Sequence, residues 1–270
     1  SAKDNPEFDV WHGGPVDGYG AAAEKGLIEA YDSPTAKEIP DKYKDPKHYW
    51  TGVYVGVLGF CSNQKVLQEK GLEVPQSWDD LLKPELKGQV STAHPSTSGT
   101  AFTTLWTQVV LRGSEDAGLD YMKKMHANVL QYTKSGTAPG QIAGRGEVAV
   151  GLVFSHDCVK YRDEGMKDLV VSFPKEGTGY EIGGVALVKN SKHSEAAKKY
   201  IDWAISADAQ NLGQTVGSNQ ILTNPNAKTN DKMAKLDEIN LIDYDFAAAA
   251  AAKPELTKRF DEEVAAKPRQ

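Results

Sequence analysis

Residues Thr51–Asn63 read Thr-Gly-Val-Tyr-Val-Gly-Val-Leu-Gly-Phe-Cys-Ser-Asn (TGVYVGVLGFCSN), with Val53, Val55 and Val57 in alternation. Alternating β-branched residues predict a strand. The run is about twice the common strand length of about five or six residues, which suits a strand that crosses between two lobes. A second β-rich run at 180–189 (YEIGGVALVK) reads as the return crossing. Two crossings divide the chain into an inserted lobe, residues 58–185, and an outer lobe made of residues 1–57 plus 186–270.

Within the inserted lobe, strands and helices alternate. Ser77-Trp-Asp-Asp80 opens a helix with a serine N-cap and early acids. A buried strand over 89–93 leads into His94-Pro-Ser-Thr-Ser-Gly-Thr-Ala-Phe-Thr-Thr104. Beyond it, Ala101, Leu105 and Val109 form one stripe and Phe102, Trp106 and Val110 the next, giving a helix with a wide apolar face. Gly113 is placed to stop it. The pattern continues with a helix over 116–128, a strand over 131–134 and a short helix within 135–146, Pro139 near its start. A buried strand over 147–154, a helix over 159–165 and a strand over 169–173 complete the lobe.

The ends of the chain read as a strand at 8–11, a helical piece at 21–30 broken by Gly26, and a polar loop over 32–49. One amphipathic helix over 194–212, capped by Ser194, and an alanine run at 247–252 follow. This alternation predicts an α/β fold with mostly parallel sheets. Ligands in such sheets bind beyond the carboxyl ends of the strands.

The composition narrows the function. A net charge of −6 over 270 residues disfavours nucleic acid, whose phosphates call for clustered Lys and Arg. No apolar run approaches the roughly 20 residues of a membrane span. No signal peptide is visible in the chain. Cys61 and Cys158 lie far apart without metal spacing. The favoured reading makes them two small buried apolar residues, with a single disulfide as the alternative.

Three tripeptides share a pattern: Ser98-Gly99-Thr100, Ser135-Gly136-Thr137 and Glu176-Gly177-Thr178. The first two stand between an expected strand and an expected helix. Free N–H groups and hydroxyls there make an anion or polyol site, although one hydroxyl at each start is explained by capping. His156-Asp157 follows a buried strand, where side chains enter a cleft. Glu181 sits in the glycine-rich GTGYEIGG, and Gly13 and Gly14 follow Trp11-His12 in a loop suited to a close approach. No third ligand at metal spacing accompanies His156, and P-loop, dinucleotide and GxSxG motifs are absent from the sequence. Neither a metal nor a cofactor is expected. Asp157 and Glu181 can be drawn as a glycosidase pair, but as acceptors for sugar hydroxyls they need no tuned acidity.

The motifs DVWHGG, AAEKGLIEAY, VLGFCSN, WDDLLKPELKGQV, PSTSGTAFTTL, QYTKSGTAP, GEVAVGLVFSHD, EGTGYEIGG and WAISADAQNLG resemble, in order, those of type II periplasmic solute-binding proteins of ABC importers. The likeness is to the ferric-binding-like superfamily, and within it to the hexose-phosphate branch. It covers nearly the whole chain. It implies a two-lobe type II periplasmic-binding fold with β hinge crossings, closure on a small solute, delivery to an ABC permease, a periplasmic location and no catalysis. It also implies that His156, Asp157 and Glu181 bind sugar hydroxyls. The helix starts, Ser96, Ser98, Gly99 and Thr100 with Ser135, Gly136 and Thr137, would take phosphate or hydroxyls, with Gly13 and Gly14 nearby. Another anion, a phosphonate, a thiamine-like amine or iron are the alternatives, and a glycosidase or phosphatase stands behind them. Tyrosine-pair iron binding is disfavoured, since no Tyr-Tyr occurs. Family members also carry about 50 residues before the part matched by DNPEFDVW; without them the outer lobe is expected to be incomplete, with unpaired sheet edges that invite self-association or a complementing segment.

Overall fold

The computed structural model describes residues 4–266. In chain order its elements are β1 (Val10–Pro15), α1 (Asp17–Glu24), β2 (Ile28–Glu29), β3 (Thr51–Asn63), α2 (Gln64–Glu69), β4 (Val90–Ala93), α3 (Gly99–Arg112), α4 (Glu115–His126), β5 (Val129–Thr133), α5 (Ala138–Gly144), β6 (Val150–Phe154), α6 (Ser155–Asp163), β7 (Leu169–Ser172), β8 (Tyr180–Val188), α7 (Ser194–Ala204), α8 (Ala207–Thr215), β9 (Ile221–Leu222) and α9 (Phe246–Glu263). The chain divides into two compact units. Of the described residues, unit 1 takes 4–56, Glu181–Met233 and Phe246–Ala251. Unit 2 takes Val57–Tyr180, Ala234–Asp245 and 252–266. Residues 234–245 and 252–266, assigned to the outer lobe from sequence, thus belong to the unit that holds 57–180.

In unit 2 the strands run in the order β5-β4-β6-β3-β7. β4 is parallel to both β5 and β6. β3 is antiparallel to β6, from Leu58 opposite Phe154 to Ser62 opposite Val150, and to β7. Parallel pairing is therefore narrower than the sequence suggests. It is confined to strands joined by helical crossovers, because a strand entering from the other unit is free to run the opposite way. In unit 1, β8 lies between β1 and β3. The pairs β1–β8, β2–β8 and β3–β9 are all antiparallel.

Unit 2 packs around Trp78, which is fully buried. Phe60 meets its ring edge-on at 5.0 Å, and its indole N–H donates to the Gly177 carbonyl at 2.9 Å. The Tyr121 hydroxyl donates to the Trp78 carbonyl at 2.6 Å. A neighbouring cluster joins Cys61, Ile142, Ala143, Val148, Val153, Cys158, Tyr161 and Leu169.

Several elements depart from their sequence reading. Cys61 and Cys158 are joined in a disulfide, with Cα atoms 5.5 Å apart, rather than being two free buried thiols. Both cysteines are buried, as expected of them; pairing depends on a distance that separation along the chain does not reveal. The helix read at 21–30 begins at Asp17 and ends before Gly26, whose φ of 64° closes it. Residues 194–212 form two helices, because Ser206 caps α8 by accepting from the Ala209 N–H at 3.2 Å. α7 has no side-chain cap at its start, so Ser194 does not serve as one. α6 begins at Ser155, four residues before the helix read at 159. Ser77 does cap, accepting from the Asp79 N–H, but what it opens is a 3-10 turn, Trp78–Leu82.

Gly151, the second residue of β6, lies under α5. A Cβ there would stand 2.4 Å from the Pro139 carbonyl oxygen and 2.6 Å from its carbon. Backbone atoms cannot swing aside as a side chain can, so Gly151→Val is expected to lower the urea-unfolding stability by about 1–3 kcal/mol, as overpacking does.

Candidate functional site

Three neighbouring parallel strands of unit 2 end side by side, and each leads into a helix. β4 leads to α3, β5 to α5 and β6 to α6. The loops and first turns at these strand ends hold most of the residues singled out from sequence. Ser98 is the N-cap of α3, its Oγ accepting from the Ala101 N–H at 3.4 Å. Gly99 and Thr100 form the first turn. Ser135, Gly136 and Thr137 lie between β5 and α5, with the hydroxyls of Ser135 and Thr137 2.9 Å apart.

The two Ser-Gly-Thr tripeptides touch. A Cβ on Gly136 would stand 2.2 Å from Thr100 Oγ1 and 2.7 Å from Ser98 Oγ. Only a glycine lets the β5–α5 loop come this close to the start of α3. Thr97 adds a link, its hydroxyl donating to the Lys134 carbonyl at 3.1 Å. Hydroxyls from two loops and the N–H groups of the α3 start are thereby gathered at one edge of the sheet.

α6 follows β6 without a loop and has no side-chain cap. The N–H groups of its first turn have no intrahelical partner, and a helix start of this kind favours an anion or a hydroxyl oxygen. His156 and Asp157 stand in that turn, His156 Nε2 3.8 Å from Asp157 Oδ1, with side chains 13% and 16% exposed. The Phe154 ring stacks on His156. Burial pulls the His156 imidazole down to about 4. Burial also pushes Asp157 up to about 6, with Lys160 opposing it. Both effects favour the uncharged forms, so around pH 5 the pair is an imidazole beside a carboxylic acid. Near neutral pH, Asp157 is an anion with acceptor oxygens, and His156 presents a neutral ring with one donor and one acceptor.

Other expected residues lie elsewhere. The Ser96 hydroxyl donates to Asp261 Oδ1 at 2.7 Å, so it ties α9 to unit 2. Glu176 accepts from the Trp78 N–H at 3.0 Å, and Thr178 donates to the Leu58 carbonyl at 2.7 Å; the third tripeptide is a structural tie. Glu181, Gly13 and Gly14 belong to unit 1. Glu181 is buried near the start of β8. Gly13 and Gly14 have φ of 93° and 77° at an irregularity in β1. There the Tyr19 hydroxyl shares its proton between the carbonyls of Gly184, at 2.7 Å, and Gly13, at 2.8 Å.

Sequence reasoning missed Tyr161. Its hydroxyl donates to the Thr137 carbonyl at 3.2 Å, and its ring fills the space a Gly140 side chain would need. It thus joins α6 to the β5–α5 loop. The signal was available, since Tyr161 stands four residues after Asp157 and so on the same helix face. Among the described residues, no three or more His, Cys, Asp and Glu side chains gather as a metal site. Among them too, no helix is long and apolar enough to cross a membrane.

The comparisons with known proteins agree with this architecture. The family of bacterial extracellular solute-binding proteins matches residues 16–250. An uncharacterised protein of Haemophilus influenzae is 42% identical over 258 residues, which are 93% of this chain and 74% of that protein. The periplasmic binding protein AfuA of Actinobacillus pleuropneumoniae, solved with exogenous fructose-6-phosphate bound, superposes with a TM-score of 0.93 at 40% identity. That match covers 97% of this chain and 84% of AfuA. The periplasmic binding protein P5PA gives a TM-score of 0.91 at 34% identity, over 97% of this chain and 85% of P5PA.

The two perturbed groups have opposite effects on stability. Below its unfolded value of 6.5, His156 is protonated in the unfolded chain but not in the folded one, so it costs stability as pH falls from 6.5 to about 4. Asp157 holds its proton in the folded chain up to about 6 but only to 3.8 when unfolded, so it adds stability as pH falls across that window. The two are expected to cancel nearly between pH 6 and 4. Asp157→Asn should expose the His156 effect, a loss of about 3 kcal/mol over that range. His156→Gln should reverse the slope. Urea titrations at a series of pH values check both.

Proposed function

The chain belongs to the family of bacterial extracellular solute-binding proteins, and from that premise we propose that it captures a hexose phosphate for an ABC importer. Its kin are binding proteins rather than enzymes, and proteins of this kind deliver a small solute to a permease. The observation that carries the finer reading is the contact of the two Ser-Gly-Thr tripeptides at Gly136, close beside Ser98 and Thr100. Hydroxyls and helix-start N–H groups gathered in this way suit a ligand that is both anionic and rich in oxygen. AfuA, similar over nearly the whole chain, carries such a ligand in fructose-6-phosphate.

In this reading the helix starts of unit 2, with Ser98, Gly99, Thr100, Ser135, Gly136 and Thr137, receive phosphate or hydroxyl oxygens. Asp157 and His156 bind sugar hydroxyls, and Glu181, Gly13 and Gly14 are kept as candidate ligand residues of unit 1. Ser96 is left out of the set because its hydroxyl already serves Asp261. Capture by lobe closure belongs to the same proposal: a ligand that binds the closed state better shifts the balance toward it. We also assign the chain to the periplasm. AfuA and P5PA are periplasmic, and a buried disulfide suits an oxidising compartment.

The test is calorimetry with fructose-6-phosphate, glucose-6-phosphate, the free hexoses, inorganic phosphate and a phosphonate. The sugar phosphates should bind more tightly than either half alone. Tighter binding of phosphate, phosphonate or an amine, or turnover of the sugar phosphate to free sugar, would overturn the reading. Asp157→Ala should weaken sugar-phosphate binding by about 1–3 kcal/mol, as expected for a lost hydrogen bond to a charged group. Gly136→Ala should also weaken it, by driving the two loops apart.

We retain self-association as a proposal for unit 1. Tyr200 and Trp203, whose rings lie 5.6 Å apart, are 39% and 49% exposed, and adjoining exposed apolar side chains suit a contact surface. Light scattering on a size-exclusion column should find a dimer that dissociates on Trp203→Glu; a monomer at micromolar concentration argues against it.

A further inference from the structure

α6 presents His156 and Asp157, yet little in its own sequence holds it in place. It has nine residues and no side-chain cap. Helices shorter than about 12 residues are marginal by themselves. Of its side chains only Ser155, Cys158, Val159 and Tyr161 are buried. Two of these tie it to other elements: Tyr161 to the Thr137 carbonyl, and Cys158 to Cys61.

Cys61 is a rigid anchor. It lies in β3 opposite Gly151 of β6 on one side and Val171 of β7 on the other, and it is fully buried. Cys158 follows Asp157 directly and is 1% exposed. The bond therefore fastens the first turn of α6 to the interior of the sheet, at the residue next to the carboxylate. The same buried cluster includes Ile142 and Ala143 of α5. One core thus supports two of the three helices whose starts carry the expected ligand residues.

We propose that the Cys61–Cys158 disulfide is a positioning device that holds His156 and Asp157 in the orientation that binds ligand. The proposal rests on the reading of these two residues as ligand-binding. Neither cysteine touches the ligand in this account. Their role is to keep the α6 start from rotating or fraying, since a site loosened by about an ångström loses much of its complementarity.

The test compares the intact protein with Cys61→Ala/Cys158→Ala and with Val148→Ala. Val148 belongs to the same buried cluster, so its truncation weakens the core while leaving the bond in place. The first readout is the His156 titration midpoint, followed by NMR of the folded proteins. Held in the fold, the ring titrates at about 4; freed to solvent with α6, it should move toward 6.5 by about one unit or more. Asp157, Lys160 and Tyr161 are the titratable neighbours on α6, and the Phe154 ring covers the imidazole. Val148→Ala should leave the midpoint unchanged.

The second readout is the dissociation constant for fructose-6-phosphate, expected to rise about tenfold in the double variant at a temperature where it remains folded. An unchanged midpoint or affinity in the folded double variant, or an equal change in Val148→Ala, would overturn the proposal. If the double variant does not fold, hydrogen exchange on the intact protein decides. Amides of residues 159–163, which bond back into α6, should be protected as strongly as those of β3, and exchange at the rate of a surface loop would refute the anchoring. If the intact protein binds no sugar phosphate, the functional reading fails, while the NMR and exchange readouts still judge the disulfide.

Discussion

The structure depends on the burial of β3. Of its thirteen residues only Tyr54 escapes full burial. A strand buried on both faces has no solvent to satisfy its backbone, so it needs partners along both edges. β3 finds them in both units: β8 and β9 in unit 1, and β6 and β7 in unit 2. Small residues make the packing feasible. At Gly59 an added Cβ would press on the Ser172 carbonyl oxygen and the Phe173 ring. The apolar content of this strand is thus the driving force for both units, and the direction in which it runs explains why so many of the pairings are antiparallel.

The strands that β3 organises in unit 2 create the conditions for a site. β4, β5 and β6 are parallel, so their carboxyl ends fall on one edge, where three helix starts stand side by side. Glycine at 136 lets two of these starts touch. The third start, that of α6, brings a histidine and an aspartate that burial drives toward neutrality. Groups of this kind gain by meeting a ligand's hydroxyls and lose by being left unpaired, which favours discrimination between solutes over chemical change.

α9 shows how much of unit 2 is set by contacts remote in sequence. His94 is fully buried, its ring edge-on to both Phe260 and Tyr132, and its Nε2 lies 2.9 Å from the Ala265 carbonyl. Ser96 and Asp261 complete the clasp. Arg259 pairs with Asp116 at 2.7 Å on the α4 side. The opening segment of the His94–Thr104 loop is therefore engaged by the end of the chain, while its later residues, from Ser98 on, form the start of α3.

Periodicity in the chain was enough to identify β3, β8, α3 and its Gly113 stop, the α/β class and the strand–helix junctions that carry Ser98–Thr100, Ser135–Thr137 and His156-Asp157. Those features follow from local alternation, capping and turn chemistry, which act over a few residues. Tertiary structure alone decided the disulfide, the diversion of Ser96 to Asp261, the mooring of α6 by Tyr161, the break between α7 and α8 and the membership of 234–245 in unit 2. Each depends on which distant surfaces meet. A cysteine or a hydroxyl reads the same in sequence whether its partner is a ligand, the solvent or a residue 97 or 165 positions away. Only packing, by setting the distance between the two, makes the choice.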